Sequence, residues 1–173
     1  MRILLITPLY PPEVADAAVY AKELARRLSK NHKVTVLAYA HLPEKLPGVR
    51  TIIIEKNQTR ATRLWAFQHA LAREIRDTDV VVAVNGASVE LPIFLTRHVT
   101  PLIFCVADKT AHERGGILER LASLRARSII RNVPDPKPEI LPLEPEPTEA
   151  LAAWDAAWST HVHALEGVLN HGH

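Results

Sequence analysis

The sequence predicts an α/β fold built on a doubly wound parallel sheet. Apolar runs at 2–7, 80–84 and 102–106 do not alternate with polar residues, as expected for strands that helices cover on both faces. Amphipathic stretches separate these runs and place apolar residues at every third or fourth position. Strands and helices that alternate in this way form parallel sheets through short right-handed crossovers. We therefore predict a Rossmann-like domain of about six strands, followed by a C-terminal helix.

Each predicted element has its own pattern. The strands are expected at Arg2–Thr7, Lys33–Tyr39, Val49–Glu55, Asp79–Val84, Pro101–Val106 and Ser128–Ile130, and the helices between them at 17–30, Thr59–Arg76, 88–98 and Ile117–Arg127. We expect Asn31 to end the first helix in the left-handed conformation, and Ser88 to cap the third. Pro92 falls near the first turn of that third helix, where proline is best tolerated.

The composition changes after residue 133. Six of the 13 prolines lie between Pro134 and Pro147, which predicts a semi-extended linker over 134–147. A last helix follows, from Thr148 to about Leu169. Its apolar stripe is too wide to remain in water, so we expect residues 148–173 to pack on the body or on a second chain; the stripe contains Leu151, Trp154, Trp158, Val162, Leu165 and Leu169.

Charge and cysteine content limit the function classes. The net charge of +2 divides into +8 over residues 1–133 and −6 over 134–173, which suits an anionic partner or a generically solvated surface. A single cysteine, Cys105, excludes an intrachain disulfide and fits a cytoplasmic location. The N-terminal run reads as a buried strand rather than a signal peptide.

Trp65, near Arg60 and Arg63, is either the edge of the core or a peripheral membrane contact.

The fold predicts where a ligand would bind. In doubly wound sheets, ligands bind beyond the carboxyl ends of the strands, where the strand order reverses, which in this chain is between the first and fourth strands. The loops at this point are Pro8–Asp16 and Asn85–Ser88, and both precede helix N-termini that favour anions. The first loop has no glycine, and the glycine-rich dinucleotide and phosphate fingerprints are absent from the sequence.

Residues 1–40 resemble the opening of family 4 glycosyltransferases of the B-type fold. The similarity is carried by Pro11-Pro12-Glu13, by Leu24-Ala25-x-x-Leu28 and by His32-x-Val34-x-Val36. Element order alone extends it to about residue 130. The resemblance implies an acceptor-side N-terminal domain, which in the family is followed by a donor-binding domain. About 40 residues remain after Pro134, too few for such a domain.

Two departures from the family pattern affect the expected site. Ala15 and Asp16 replace a Gly-Gly pair that lets the backbone approach donor phosphates and acceptor. Ala107 stands where the family commonly carries a histidine, and His112 is off register. No catalytic residue, metal or cofactor is therefore expected. The substrate-binding set that the fold rule and the resemblance together imply is Pro12, Glu13, Ala15, Asp16, Asn85, Gly86 and Asp108.

Three functions follow as alternatives. The chain is a glycosyltransferase-like N-terminal domain, not catalytic alone, that binds a sugar or lipid acceptor or a partner chain. Otherwise it is the acceptor-binding subunit of a split transferase, which would transfer a hexosyl group when a separate donor-domain chain completes it. The third alternative is a non-catalytic module that forms a homo-oligomer through helix 148–169. Nucleic-acid binding is not expected, and membrane contact is expected to be peripheral at most.

Overall fold

The computed structural model describes residues 1–13, 15–41, 45–97, 100–107, 116–131 and 148–170. These residues form a six-stranded sheet in the order β3-β2-β1-β4-β5-β6, and every strand pairing is parallel. Strand one is central, between strands two and four, so the strand order reverses between the first and fourth strands, as predicted. The strands are β1 Arg2–Thr7, β2 Lys33–Tyr39, β3 Val49–Ile54, β4 Val80–Val84, β5 Leu102–Cys105 and β6 Ser128–Ile130.

Helices cover both faces of the sheet, as in a Rossmann-like fold. The described helices are α1 Asp16–Leu28, α2 Arg60–Glu74, α3 Ala87–Leu95, α4 Ile117–Leu124 and α5 Thr148–Asn170, with a 3₁₀ turn at Ile75–Asp77. Side chains of β1 alternate between the two faces, so Ile3 and Leu5 pack under α1 and α5. Leu4 and Ile6 pack under α2, α3 and α4. No described helix is long and apolar enough to cross a membrane.

Two predicted helix ends are wrong. Asn31 does not adopt the left-handed conformation, because the N–H groups of Asn31 and His32 already bond the carbonyl of Leu28 as the chain turns. Ser88 is not the cap of α3. The cap is Gly86, two residues earlier, and its N–H bonds the carboxylate of Glu90.

The third helix is also shorter than predicted. It ends at Leu95 because Thr96 takes an extended backbone with a ψ of 118°, and the Thr96 hydroxyl bonds the carbonyl of Pro92 at 2.8 Å. Pro92 lies inside the helix, beyond the first turn where it was expected. By contrast, Thr59 caps α2 through its hydroxyl, which accepts the N–H of Thr62.

The last helix contacts the body of the same chain. Trp154 stacks on Tyr20 of α1 with ring centroids 5.2 Å apart. Arg27 lies over the Trp154 ring and donates to Asp155 at 2.7 Å. The buried side of the helix differs from the predicted stripe; it comprises Trp154, Ala157, His161, Leu165 and Val168, whereas Trp158 and Val162 are half-buried.

His161 is the polar centre of this contact. Its Nδ1 lies 2.8 Å from the carbonyl of Ala157, so Nδ1 must carry the proton. Nε2 then accepts the Tyr20 hydroxyl at 2.6 Å. Burial lowers the pKa of His161 and raises that of Tyr20 well above its ordinary value, so both groups are neutral in the folded chain.

Some predicted features lie outside the described residues. These are the proline-rich linker 134–147, Asp108, His112 and the side chains of Leu151 and Leu169. The division into a body, a linker and a helical tail therefore stays a prediction.

Candidate functional site

The loops after β1 and β4 meet at the reversal of strand order. Gly86, directly after Asn85, has a φ of +148°, which favours glycine. A Cβ at this position would lie 2.9 Å from the Cβ and Cγ atoms of Pro8, which begins the first loop. The close approach of these two loops therefore requires Gly86, and it places two predicted site segments side by side.

Asn85 connects the β4 and β5 ends. The residue is buried, and its backbone N–H bonds the carbonyl of Cys105 at 3.0 Å. Its side-chain oxygen accepts the Ala107 N–H at 2.9 Å. Ala107 is itself buried and belongs to the core under α1 and α5. Asn85 is therefore a structural link, and the position of the expected histidine lies in the core.

The N-terminus of α3 already holds a carboxylate. Glu90, which is buried, accepts the Gly86 N–H at 2.9 Å. Burial raises the pKa of Glu90, the Gly86 N–H opposes that rise, and the neighbouring Glu119 adds to it. An anionic ligand would have to displace this internal carboxylate to reach the Gly86 N–H.

The N-terminus of α1 has a different character. Ala15 occupies the cap position and offers no side-chain hydrogen bond, and Asp16 is the first helical residue. Pro12 is exposed, whereas Glu13 is half-buried and forms an ion pair with Lys56 at 2.6 Å. Of the predicted set, Glu13 and Ala15 thus lie in the loop whose first residue, Pro8, approaches Gly86, and the side chain of Asp16 lies outside the described residues.

Sequence reasoning missed two residues at this edge. Lys56 follows β3 by two positions, and Tyr39 ends β2, so both lie at carboxyl ends of strands. The Tyr39 ring stacks on Phe67 with centroids 4.8 Å apart, and its hydroxyl donates to the carbonyl of Ser88 at 3.4 Å. Burial raises the pKa of Tyr39 to about 12, so it acts as a neutral donor. The rule that placed the other loops points to the ends of the first and fourth strands, so it does not reach these two residues.

A cavity of about 280 Å³ opens further along the same edge, beside β5 and β6. It is lined by Phe104, Val106, Gly116, Glu119, Arg120, Ser123, Ile129 and Arg131. Among the residues that the structure describes, no member of the predicted set lines it. Within the described part of the chain, no group of three His, Cys, Asp or Glu side chains is placed to hold a metal ion.

Neither a protein-family model nor a curated protein matches this sequence. Solved structures do match. The C-terminal domain of the coenzyme A biosynthesis bifunctional protein CoaBC superposes with a TM-score of 0.54 and 14% identity, over 95% of this chain and 96% of that one. At this identity the likeness shows the Rossmann-like fold alone.

An alpha-glucosyltransferase in complex with UDP and a 13-mer DNA also matches, in two structures. With a DNA containing an HMU base, the TM-score is 0.47 at 13% identity, over 75% of this chain and 37% of that one. With a DNA containing a central A:G mismatch, it is 0.48 at 13%, over 75% and 36%. The chain thus spans a little over a third of those chains. Such similarity supports no statement about ligands, and the expected lack of nucleic-acid binding stays a prediction.

Proposed function

We propose that this chain is a glycosyltransferase-like N-terminal domain that binds an acceptor at the carboxyl edge of its sheet and does not catalyse transfer alone. The observation that carries the proposal is the sequence resemblance of residues 1–40, which includes the loop that meets the Asn85–Gly86 turn. In the family this loop lets the backbone approach both the donor phosphates and the acceptor. The central position of β1 agrees with a site at this point.

Two features argue against catalysis by these residues alone. Ala107 replaces the family's histidine and is buried, so no acid or base occupies that position. The N-terminus of α3, which would attract a donor phosphate, has a carboxylate instead, that of Glu90 on the Gly86 N–H. The first residue of α1 is the acidic Asp16. A carboxylate at such a place competes with phosphate and repels it.

The same features favour a neutral acceptor. The Glu13–Lys56 pair is half-buried and provides an acceptor and a donor for hydroxyl groups beside the exposed Pro12. A sugar, free or as a lipid headgroup, presents several hydroxyls and no phosphate at its non-reducing end. We therefore expect sugar hydroxyls to replace part of the Glu13–Lys56 interaction.

The test is NMR titration of the ¹⁵N-labelled chain with methyl glycosides and, separately, with UDP. We expect the glycosides to shift the amides of Glu13, Ala15, Gly86 and Lys56, and UDP to leave them unchanged. Glu13→Gln should abolish the response. Glu74→Gln is the matched control, since Glu74 also pairs with a cation, Arg50, at 2.7 Å but lies at the far end of α2.

An enzymatic assay separates the alternatives. The purified chain is expected neither to transfer sugar from UDP- or GDP-sugars nor to hydrolyse them above background. Sustained nucleotide release, lost in first-loop variants, would contradict the proposal. Nucleotide release that appears only after a co-purifying chain is added would identify a split transferase instead.

A cytoplasmic location also stays a prediction.

A further inference from the structure

The cavity at the carboxyl edge of the sheet lies at the end formed by β5 and β6. Val106 directly follows β5, Arg131 directly follows β6, and α4 contributes three further lining residues. The Glu13–Lys56 pair lies towards the other end of this edge, where Lys56 comes after β3. Four strand spacings separate β3 from β5, which is roughly 20 Å. The cavity is therefore a separate place, and its ligand does not depend on the proposed function.

Hydrogen bonds hold the walls of this cavity in place. The Val106 N–H bonds the carbonyl of Ile130 at 2.9 Å, which joins the ends of β5 and β6. At the end of α4, the Arg125 guanidinium donates to the carbonyls of Ile93 and Thr96 at 2.9 and 2.8 Å. Both walls are thus fixed by the chain itself, as in ligand sites that are largely pre-formed.

Two arginines from different elements line the cavity. Arg120 lies on α4 and Arg131 follows β6. Both are exposed, and within the described part of the chain neither forms an ion pair. Like charges at one cavity repel each other, and an anion between them offsets that repulsion. A guanidinium binds phosphate oxygens through two parallel N–H groups, so the pair suits a ligand with two negative charges.

A buried carboxylate limits which anion fits. Glu119 of α4 lines the same cavity and is 9% exposed. A carboxylate accepts hydrogen bonds from hydroxyl groups and repels a bare anion. Another part of the lining is apolar and consists of Phe104, Val106 and Ile129. A ligand that matches these three parts has a phosphate for the arginines, hydroxyls for Glu119 and a carbon frame for the apolar wall.

We propose that this cavity binds the phosphate monoester of a monosaccharide or of another small polyol. A monoester carries a charge of about −1.5 to −2 at neutral pH, which two arginines balance. A phosphodiester carries a single negative charge and leaves one arginine without a partner. The volume of about 280 Å³ is just below the range of roughly 300–1,000 Å³ that drug-sized ligands occupy, so the ligand is compact.

The experiment is isothermal titration calorimetry of the full chain with glucose 6-phosphate, inorganic phosphate, glucose and glycerophosphoinositol. We expect glucose 6-phosphate to bind and glucose not to bind. Inorganic phosphate should bind at least about fivefold more weakly, because it brings no sugar hydroxyl to Glu119. Glycerophosphoinositol, a phosphodiester like a lipid headgroup, should bind at least about tenfold more weakly. The affinity for glucose 6-phosphate should fall as the ionic strength rises from about 0.1 M to 1 M.

Substitutions locate the site. Arg120→Gln and Arg131→Gln should each weaken binding of glucose 6-phosphate about tenfold or more. Arg76→Gln is the matched control and should change the affinity by no more than about twofold, since Arg76 is also exposed but precedes β4, at the opposite edge of the sheet. Gly116 lines the cavity with an extended backbone, and a Cβ added there meets no described atom within 4 Å. Gly116→Glu should therefore fold and weaken binding by its charge, whereas Gly116→Ala should not weaken it.

Several outcomes would overturn the proposal. They are no binding of glucose 6-phosphate, equal binding of inorganic phosphate or glycerophosphoinositol, and an equal loss in Arg76→Gln. The arginine variants should keep the melting temperature of the parent because both side chains are exposed, so a loss of binding is not a loss of fold. Glu13→Gln should abolish the response to methyl glycosides and leave the binding of glucose 6-phosphate unchanged. Loss of glucose 6-phosphate binding in Glu13→Gln would place the phosphate ester at the first loop and refute the cavity site.

Discussion

Replacing Trp154 by alanine tests whether the last helix stabilises the fold. The indole is 5% exposed, stacks on Tyr20 and lies under the guanidinium of Arg27, 5.5 Å from the ring centroid. A buried tryptophan removes roughly 150–250 Å² from water. At about 25 cal/mol per Å² this is worth roughly 4–6 kcal/mol, an upper bound because unfolded chains are partly compact. We therefore expect a loss of about 3–5 kcal/mol, the usual range for large-to-small core substitutions.

The assay is thermal and urea unfolding followed by circular dichroism. For a chain of this size, that loss lowers the melting temperature by about 6–20 °C. Trp65→Ala makes the same chemical change at a side chain that is 70% exposed, and it should change stability by no more than about 0.5 kcal/mol. If the two variants melt within about 2 °C of one another, α5 contributes nothing to the stability of the body and the expected loss on removing Trp154 is wrong.

Three further substitutions test the buried polar groups and the loop contact. Burial lowers the pKa of His161 below its ordinary 6.5, so on acidification the unfolded chain is protonated at this residue before the folded chain is. The free energy of unfolding should therefore fall as pH drops below about 6.5. His161→Gln should flatten this pH dependence, measured by urea unfolding. Burial raises the pKa of Glu90 above 4.5, so ionising its carboxyl group lowers the free energy of unfolding as pH rises above about 4.5. Glu90→Gln keeps an oxygen for the Gly86 N–H and should be at least as stable as the parent at pH 7 by the same assay. Gly86→Ala needs a left-handed φ and would contact Pro8 at 2.9 Å, so it should cost about 1–3 kcal/mol; an unchanged melting temperature would show that the loops separate freely.

The sheet could be predicted from local patterns. β1, β2 and β6 begin and end at the predicted residues. The central strand β1 is a buried apolar run between polar or turn residues, which is typical of a parallel strand covered on both faces. The place of strand one beside strand four followed from the usual strand order of doubly wound sheets. α1 likewise buries Tyr20 and Leu24, which recur at its helical period.

The remaining features depend on contacts distant in sequence or on side chains with two roles. Ser88 fits the composition of a cap, but Glu90 reaches back to the Gly86 N–H and moves the helix start. His161 reads as a polar interruption of an apolar stripe, because its hydroxyl partner is 141 residues away. Glu13 was predicted at the site, whereas its partner Lys56 follows a different strand. No local pattern contains such pairings.

The long sequence separation between α5 and its partner on α1 sets an order of folding events. Closing a loop of 141 residues costs on the order of 4 kcal/mol of chain entropy. Once the body has formed, docking of α5 closes a loop of only 16 residues, 132 to 147, which costs roughly 2.5 kcal/mol of chain entropy. The body-first route is therefore favoured by about 2 kcal/mol, and it leaves the apolar surface around Tyr20 uncovered until the helix arrives. Until α5 docks, this apolar surface is open to proteases, chaperones and other copies of the chain. The rate at which α5 docks therefore sets the fraction of chains that fold without meeting them.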